Sequence, residues 1–374
     1  MYDQRNRFAA YFLLTVFSLF VGWWLYAFLS DALLYWGLGG APSRLFGAIG
    51  AACLLAAILV RPIPAKVRTI AAIYVFLFSL LFFALQRAFA LLWPAASDIG
   101  WLWQGGVAAF AASFAMLVYG FMHGKKLVLT RYVVETNLPV AGGELKIALI
   151  SDVHMGLTID EDRLSRQMER LASEQPDLLV VAGDLVDDRT SPEQMRAACF
   201  IVGGVPATYG VVFVYGNHDL ASHGPTPPYT KAELDRALSG AGIRVLDDRV
   251  ATLAGLTLLG RRDAGFSHTP SRASLKTLLE GADRSMPVIL IDHQPRERKE
   301  AAALGVTLQL AGHTHGGQIW PMSWLSRLSG AAYGHKRTQN THLIVSSGMG
   351  NRGSVLRSGS TAEMVLIRLR SRVN

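Results

Sequence analysis

Five short polar clusters hold the residues of this sequence that are best suited to metal binding and proton transfer. They contain carboxylates, imidazoles and one amide, and each cluster directly follows a short apolar run. The clusters are Asp152-Val153-His154, Gly183-Asp184-Leu185-Val186-Asp187, Gly216-Asn217-His218-Asp219, His293, and Gly312-His313-Thr314-His315-Gly316-Gly317. This mixture of oxygen and nitrogen ligands suits Mn, Fe or Zn better than Ca or Mg.

The apolar runs before these clusters predict buried β-strands, with helix-like stretches between them. The predicted strands are 146–150, 178–182, 211–215, 288–291, 308–311 and 343–345. The predicted helices are 162–173, 192–202, 231–239, 271–279 and 297–304. This alternation is typical of layered α/β domains, in which ligands bind beyond the carboxyl ends of the strands. We therefore expect the polar clusters to meet at those ends.

The ordered set D-x-H, G-D-x-x-D, G-N-H-D, H and G-H-x-H resembles the calcineurin-like metallophosphoesterases. The tail G-H-T-H-G-G-Q looks like the membrane-associated bacterial branch of that superfamily, which includes the YkuE and YaeI proteins. The resemblance covers about residues 131–369. It implies an α/β domain of the αββα sandwich type and a metal-dependent hydrolase that cleaves a phosphate ester or pyrophosphate.

The resemblance also implies two divalent metal ions, either Mn, Fe or Zn. The expected ligands of the first ion are Asp152, His154, Asp184 and His315. The expected ligands of the second ion are Asp184, Asn217, His293 and His313. Asp184 would then bridge the pair. Two neighbouring ions lower the pKa of a shared water, and the resulting hydroxide attacks phosphorus in line.

The position of His218 resembles that of the family's imidazole that contacts the phosphate and protonates the departing oxygen, with Asp187 orienting it by a hydrogen bond. An imidazole suits this role because it titrates near neutral pH. Arg189, Arg261 and Arg262 are candidates for clamping phosphate oxygens, although solvated surface arginines are the more common outcome.

The chain before these clusters has the composition of a membrane segment. Four stretches are long, apolar and almost uncharged, namely 8–29, 45–60, 69–85 and 99–122. Each is close to the ~20 residues that cross ~30 Å of hydrocarbon. We therefore expect a transmembrane unit of four helices over residues 1–126, followed by a metallophosphoesterase domain over residues 127–374.

The distribution of charge predicts the orientation of this unit. Lys and Arg collect at the N-terminus, around residues 61–68 and just after residue 122. Basic loops stay on the cytoplasmic side, so we expect a multi-pass protein of the bacterial inner membrane with a cytoplasmic catalytic domain. After Arg131 the chain holds 26 basic and 25 acidic residues, so nearly all of the net charge of +8 belongs to the membrane half. The basic balance therefore does not indicate a nucleic-acid partner.

An apolar loop follows the last cluster, and its composition gives an indication of the substrate class. Residues 318–328 read Q-I-W-P-M-S-W-L-S-R-L. These side chains could dip into the bilayer interface or line a groove for a lipid tail, and packing against the domain itself explains them equally well. The predicted spans make the lipid bilayer an expected partner of the protein. The spans and the apolar loop together favour a lipid-linked substrate, either a phospholipid or a nucleotide-activated glycolipid.

Two alternatives remain open at this stage. The protein could be a membrane-anchored binding or sensor protein that uses a phosphoesterase fold, although every expected ligand position is filled. It could also be a phosphodiesterase for soluble substrates that is merely tethered to the bilayer. The sequence does not decide the oligomeric state.

Overall fold

The computed structural model describes residues 23–59, 65–92, 107–220, 228–265, 272–280, 282–328 and 333–372. The chain divides into two compact units, Met1–Tyr119 and Gly120–Asn374. The polar clusters of the sequence all lie in the second unit.

The described part of the N-terminal unit is mostly helical. Residues 23–35 are helical, and they are followed by helices α1 (Gly40–Leu59), α2 (Ala65–Leu92) and α3 (Val107–His123). Leu25, Ala51, Val75 and Phe76 form a small buried cluster. The side chain of Trp24 also donates a hydrogen bond of 2.6 Å to the hydroxyl of Ser79.

Within the described residues, no helix combines the length and the continuous apolar character that crossing a membrane requires. The prediction of four spans at 8–29, 45–60, 69–85 and 99–122 is therefore not supported by the described helices. Residues 8–22, 60 and 99–106 of those predicted spans lie outside the described residues.

The second unit contains two mostly parallel six-stranded sheets. In chain order its strands are β1 (Leu127–Thr136), β2 (Glu144–Ile150), β3 (Leu178–Ala182), β4 (Val211–Val214), β5 (Ile243–Val245), β6 (Arg249–Leu253), β7 (Leu256–Gly260), β8 (Val288–Ile291), β9 (Leu308–Ala311), β10 (Gly334–Thr338), β11 (Thr341–Val345) and β12 (Ala362–Ser371). Its further helices are α4 (Glu161–Ala172), α5 (Pro192–Gly203), α6 (Lys231–Gly240), α7 (Leu275–Glu280), α8 (Arg298–Ala303) and α9 (Met322–Leu328).

The strand order explains how separate chain segments reach one place. The first sheet has the order β1-β12-β2-β3-β4-β5, and the second has the order β10-β11-β9-β8-β7-β6. Strands β2, β3, β4 and β5 are parallel to one another, and so are β7, β8, β9 and β11. In each sheet the parallel strands therefore deliver their carboxyl ends to a common edge.

The alternation of side chains along the strands produces four layers. Ile147 and Leu149 of β2 face the core between the two sheets, whereas Ala148 and Ile150 face the helices that cover the first sheet. Those helices are α4, α5 and α6, and α7 and α8 cover the outer face of the second sheet. The architecture is therefore helix, sheet, sheet, helix, as the αββα prediction required.

The predicted elements are present with small shifts at their ends. For example, β3 and β8 have the predicted bounds, whereas α7 begins at Leu275 rather than at residue 271. The sequence analysis missed β1, β5, β6, β7, β10 and β12. Three-residue strands such as β5 leave too little alternation to be recognised.

Candidate dinuclear metal centre

Five strand ends bring the predicted ligands together. Asp152 follows β2, Asp184 follows β3 and Asn217 follows β4, while the second sheet supplies His293 after β8 and the His313–His315 turn after β9. Backbone hydrogen bonds join neighbouring ends: the N–H of Asp152 donates to the carbonyl of Gly183 at 3.0 Å, and the N–H of Gly312 donates to His293 at 2.9 Å. All seven predicted ligands thus lie in one region.

The backbone at the ligands is held in an unfavourable conformation. Asp152, His154, Asp184, His313 and His315 all have left-handed φ angles, between 47° and 69°. For a residue other than glycine, such a conformation costs on the order of 1 kcal/mol or more. It persists where surrounding contacts enforce it, which is typical of functional sites.

Asp152, His154 and His315 form the first cluster of possible ligand atoms. One ligand atom from each lies within 4.8 Å of the others, and all three side chains are buried. The Nε2 atoms of His154 and His315 are 3.2 Å apart, and Nε2 of His315 is 3.4 Å from Oδ1 of Asp152. Ligands with bonds of ~2.1 Å to one ion are separated by about 3.0–3.4 Å, so these distances fit a shared metal ion.

Asp184, His293 and His313 form the second cluster, also within 4.8 Å. The amide oxygen of Asn217 joins them, at 2.8 Å from Nδ1 of His313 and 3.2 Å from Nε2 of His293. Nδ1 of His293 lies 2.7 Å from the carbonyl of Ala182, a contact that assigns the proton to Nδ1 and leaves the Nε2 lone pair in the cluster. Several acceptor atoms therefore lie close together in this cluster, and a cation bound there would compensate their negative charge.

Asp184 reaches both clusters with the same oxygen. Its Oδ2 lies 3.1 Å from Nε2 of His293 and 3.7 Å from Nε2 of His154. Its Oδ1 accepts a hydrogen bond of 2.8 Å from the N–H of His218. Burial alone would raise the pKa of Asp184, but His293 and His154 hold it well below its usual range. Asp184 is therefore an ionised carboxylate between two groups of imidazoles.

His218 and Asp187 lie beside the first cluster. The ring of His218 makes an edge contact with that of His154 at 5.0 Å between centroids. Oδ2 of Asp187 is 3.6 Å from Nδ1 of His154, and its Oδ1 accepts from the N–H of Arg189 at 2.7 Å. The geometry thus gives Asp187 a part in orienting His154, while the predicted hydrogen bond from His218 to Asp187 stays a prediction.

Burial lowers the pKa of His218 to about 4. Its imidazole is therefore neutral at pH 7 in this structure. A role as proton donor requires a nearby negative charge, such as that of a bound phosphate, to raise this pKa.

Asp219 supports the site through contacts with backbone N–H groups. Its buried carboxylate accepts hydrogen bonds from the N–H groups of Asp184 at 2.8 Å, Gly216 at 2.6 Å and Val186 at 3.1 Å. It thereby fixes the turn that presents Asp184. The only signal for this role in the sequence is its place at the end of the Gly216–Asp219 cluster.

Arg357 is a second supporting residue, and the sequence analysis missed it. Its guanidinium is fully buried and donates to carbonyl oxygens of Gly350 at 2.9 Å, Ser360 at 3.1 Å and His315 at 3.4 Å. The hydroxyl of Ser360 also donates to His315, at 2.6 Å. Arg357 therefore holds the backbone of a predicted ligand, and nothing in its sequence neighbourhood indicates this.

Two of the three arginines considered for phosphate binding are engaged in ion pairs. Arg261 pairs with Glu297 and lies 3.8 Å from Asp292, and Arg262 is 2.9 Å from Asp247. Their positive charges are thus neutralised by carboxylates. The third, Arg189, is exposed.

Comparison with known proteins relates this candidate metal centre to those of phosphoesterases. Residues 145–317 match the sequence model of the family described as "Calcineurin-like phosphoesterase". All seven candidate ligands lie within this segment, which is therefore similar to the calcineurin-like phosphoesterases.

Three relatives illustrate the similarity. A Campylobacter jejuni protein described as an uncharacterized metallophosphoesterase is 30% identical over 64% of this chain and 63% of its own length. A Bos taurus protein named "Transmembrane protein with metallophosphoesterase domain" is 29% identical over 77% of this chain and 69% of its own length. The Bacillus subtilis metallophosphoesterase YkuE, also uncharacterized, is 26% identical over 72% of this chain and 96% of its own length. The chain thus spans less than two thirds of the first of these relatives.

Gly216 provides a test of how tightly the centre is packed. A Cβ atom at this position would lie 2.2 Å from Oδ1 of Asp184 and 2.6 Å from its backbone nitrogen. We expect Gly216→Ala to displace Asp184 and to weaken Mn²⁺ binding about ten- to hundredfold, as when metal ligands lose their support. Isothermal titration with Mn²⁺ measures this change.

Gly240→Ala is the matched control, because no atom lies within 4 Å of a Cβ built there. It should bind Mn²⁺ like the unmodified protein. Wild-type affinity in Gly216→Ala would contradict the assignment of Asp184 to the metal centre.

Proposed function

We propose that this protein uses a dinuclear metal centre to hydrolyse a phosphate ester or pyrophosphate of a lipid-linked substrate, either a phospholipid or a nucleotide-activated glycolipid. The observation that carries the proposal is the position of Asp184, whose one oxygen lies 3.1 Å and 3.7 Å from imidazole nitrogens of two buried clusters. A carboxylate placed in this way is suited to bridging two cations.

The ligand roles follow the two clusters. The first ion would be held by Asp152, His154, Asp184 and His315, and the second by Asp184, Asn217, His293 and His313. The donor set suits Mn, Fe or Zn. Two such ions, when bound, supply a low-pKa water and neutralise phosphoryl oxygens. The chain itself holds the ligands in place through Asp219 and Arg357.

His218 is proposed as the group that contacts the phosphate and gives a proton to the departing oxygen. Its backbone N–H donates to Oδ1 of Asp184, which fixes the imidazole beside the centre. A phosphate bound there would raise the pKa of His218 toward neutrality, since opposite charges favour the protonated form. Asp187 supports the same side of the site through its contact with His154.

Two substitutions separate metal binding from proton transfer. Asp184→Asn should abolish both metal binding and turnover, because it removes the charge that both clusters share. His218→Ala should keep its metal and lose about 10²–10⁴-fold in kcat, the usual contribution of general acid catalysis. Elemental analysis of the purified variants and turnover of bis(4-nitrophenyl) phosphate measure the two effects.

Full activity of His218→Ala on the natural substrate would exclude it as the proton donor. A protein that binds its metal ions but hydrolyses no phosphate ester or diphosphate would instead favour the alternative of a binding or sensor protein.

The proposal of a lipid-linked substrate is supported by the exposed side chains of α9. Met322, Trp324, Leu325 and Leu328 are 57%, 59%, 46% and 67% exposed. The helix follows the His313–His315 turn closely in the chain. A Cβ at Gly317 would lie 2.5 Å from Cα of Ser323, so the start of α9 packs directly on that turn. An apolar surface this close to the ligands suits an acyl chain.

The contribution of α9 can be measured with matched substrates. We expect Trp324→Gln to lower kcat/KM for a phospholipid in mixed micelles by about tenfold, the effect of losing roughly 1.5 kcal/mol of apolar burial. Turnover of the soluble diester bis(4-nitrophenyl) phosphate should change less than about twofold. Phe200→Gln is the control, since Phe200 is 77% exposed on α5. Equal effects on both substrates would favour the alternative of a soluble substrate.

We also propose that the N-terminal unit is embedded in the bacterial inner membrane, with the catalytic domain on the cytoplasmic side. Support comes from the uneven distribution of Lys and Arg and from exposed apolar side chains such as Leu91, Leu92 and Phe114. A relative named as a transmembrane protein is consistent with this.

A fusion of alkaline phosphatase to the C-terminus tests the orientation, because this reporter is active only outside the cytoplasm. The fusion protein should remain with the membrane fraction and show no reporter activity. Strong reporter activity would contradict the cytoplasmic placement, and recovery in the soluble fraction would contradict membrane embedding.

A further inference from the structure

The turn after β11 packs directly against the first ligand loop. The N–H of Met349 donates to the carbonyl of Ser151 at 3.0 Å, and that of Gly350 donates to the carbonyl of Asp152 at 2.8 Å. A Cβ at Gly350 would lie 2.1 Å from the carbonyl oxygen of Val153, so the two backbones are in close contact. The turn therefore contacts the Asp152 loop at Gly350, and Arg352 follows two residues later in the chain.

Gln318 fixes the position of Arg352 from the opposite side. It lies three residues after the ligand His315, and its side-chain oxygen accepts a hydrogen bond of 2.8 Å from the N–H of Arg352. Its amide nitrogen donates to the carbonyls of Ser354 at 3.2 Å and Leu356 at 2.9 Å. The turn that bears Arg352 is thus tied both to the Asp152 loop and to the His315 turn.

The side chain of Arg352 is exposed, in contrast to its fixed backbone. Within the part of the chain that the structure describes, no carboxylate forms an ion pair with it, whereas Arg261, Arg262 and Arg272 are all paired. Its backbone is held two residues from the contact between Gly350 and the carbonyl of Asp152. A positive charge therefore stands at the rim of the centre without a neutralising partner in that part of the chain.

We propose that Arg352 is a specificity-determining residue that binds an anionic oxygen of the substrate and makes the site favour dianionic phosphate groups over monoanionic diesters. The inference rests on the proposed phosphoesterase function. Divalent ions held by the carboxylates of Asp152 and Asp184 would leave positive charge in excess, and the guanidinium adds to it. A guanidinium also matches two phosphate oxygens at once. The second charge can belong to a monoester or to the neighbouring phosphate of a diphosphate.

Arg352→Gln tests this inference by comparing substrates of different charge. For the dianion 4-nitrophenyl phosphate, KM should rise about ten- to hundredfold, the effect of losing a charge-assisted hydrogen bond. For the monoanion bis(4-nitrophenyl) phosphate, KM should change less than about threefold. Arg352→Lys should restore part of the loss, since it keeps the charge without the fork of donors.

A binding measurement separates this inference from the proposed function. Inorganic phosphate, titrated into the Mn-loaded full-length protein, should bind about ten- to hundredfold more weakly to Arg352→Gln. Arg196→Gln is the control, because Arg196 is an exposed arginine on α5 that pairs only at the surface with Glu193. If phosphate binding depends on Arg352 while no ester is hydrolysed, the inference holds and the proposed function fails.

A third substrate, a dinucleoside diphosphate, distinguishes the two sources of the second charge. If Arg352→Gln raises KM more for the dinucleoside diphosphate than for 4-nitrophenyl phosphate, Arg352 binds the neighbouring phosphate. If KM rises more for 4-nitrophenyl phosphate, Arg352 binds a terminal phosphate. The inference is overturned by equal losses on the monoanionic and dianionic substrates, by phosphate binding that Arg352→Gln leaves unchanged, or by wild-type protein that binds no phosphate.

Discussion

The arrangement of the site depends on one buried carboxylate, that of Asp184, which needs positive charge nearby to compensate its own. Asp184 is 1% exposed and contacts imidazole nitrogens from two separate clusters, while Asn217 adds a further acceptor oxygen. Burying so many acceptors costs several kcal/mol unless positive charge compensates them. Divalent cations would provide that charge, and with them the same residues would be suited to binding a phosphate ester and activating water.

The rest of the domain serves to hold these acceptors together. The parallel strands of each sheet bring their carboxyl ends to a common edge. Residues with left-handed φ angles then present the ligands there. Asp219 binds three backbone N–H groups around Asp184, and Arg357 holds the carbonyl of His315. Gln318 links the His315 turn to the turn that bears Arg352. Strain at the ligands is thus opposed by a dense set of buried hydrogen bonds.

The sequence brings out the candidate ligands because each of them belongs to a local signal. Each polar cluster directly follows a run of buried apolar residues. A short segment of sequence therefore indicates both the strand and the polar residues at its carboxyl end. The strand β3 and the Asp184 cluster behind it are the clearest case. The supporting contacts are different in kind. Arg357 and Asp219 act through contacts with residues tens of positions away or through backbone atoms, and such contacts leave no pattern in a single sequence.

The membrane prediction shows a second limit. Hydropathy describes how apolar a stretch is, but it does not fix where helices begin and end. The predicted span 69–85 lies within α2 (Ala65–Leu92), which extends beyond it at both ends. The ion pairs of the candidate phosphate-binding arginines could not be predicted from the sequence either. Arg262 pairs with Asp247, fifteen residues away, because a hairpin brings the two together.

The most direct test of the central claim is X-ray diffraction from metal-loaded crystals, with anomalous data collected at the Mn, Fe and Zn edges. We expect two ions, one on either side of the Asp184 carboxylate, with the separation of about 3.5–4 Å that two-metal hydrolases show. A centre without anomalous density, or a single ion that Asp184 does not contact, would contradict it.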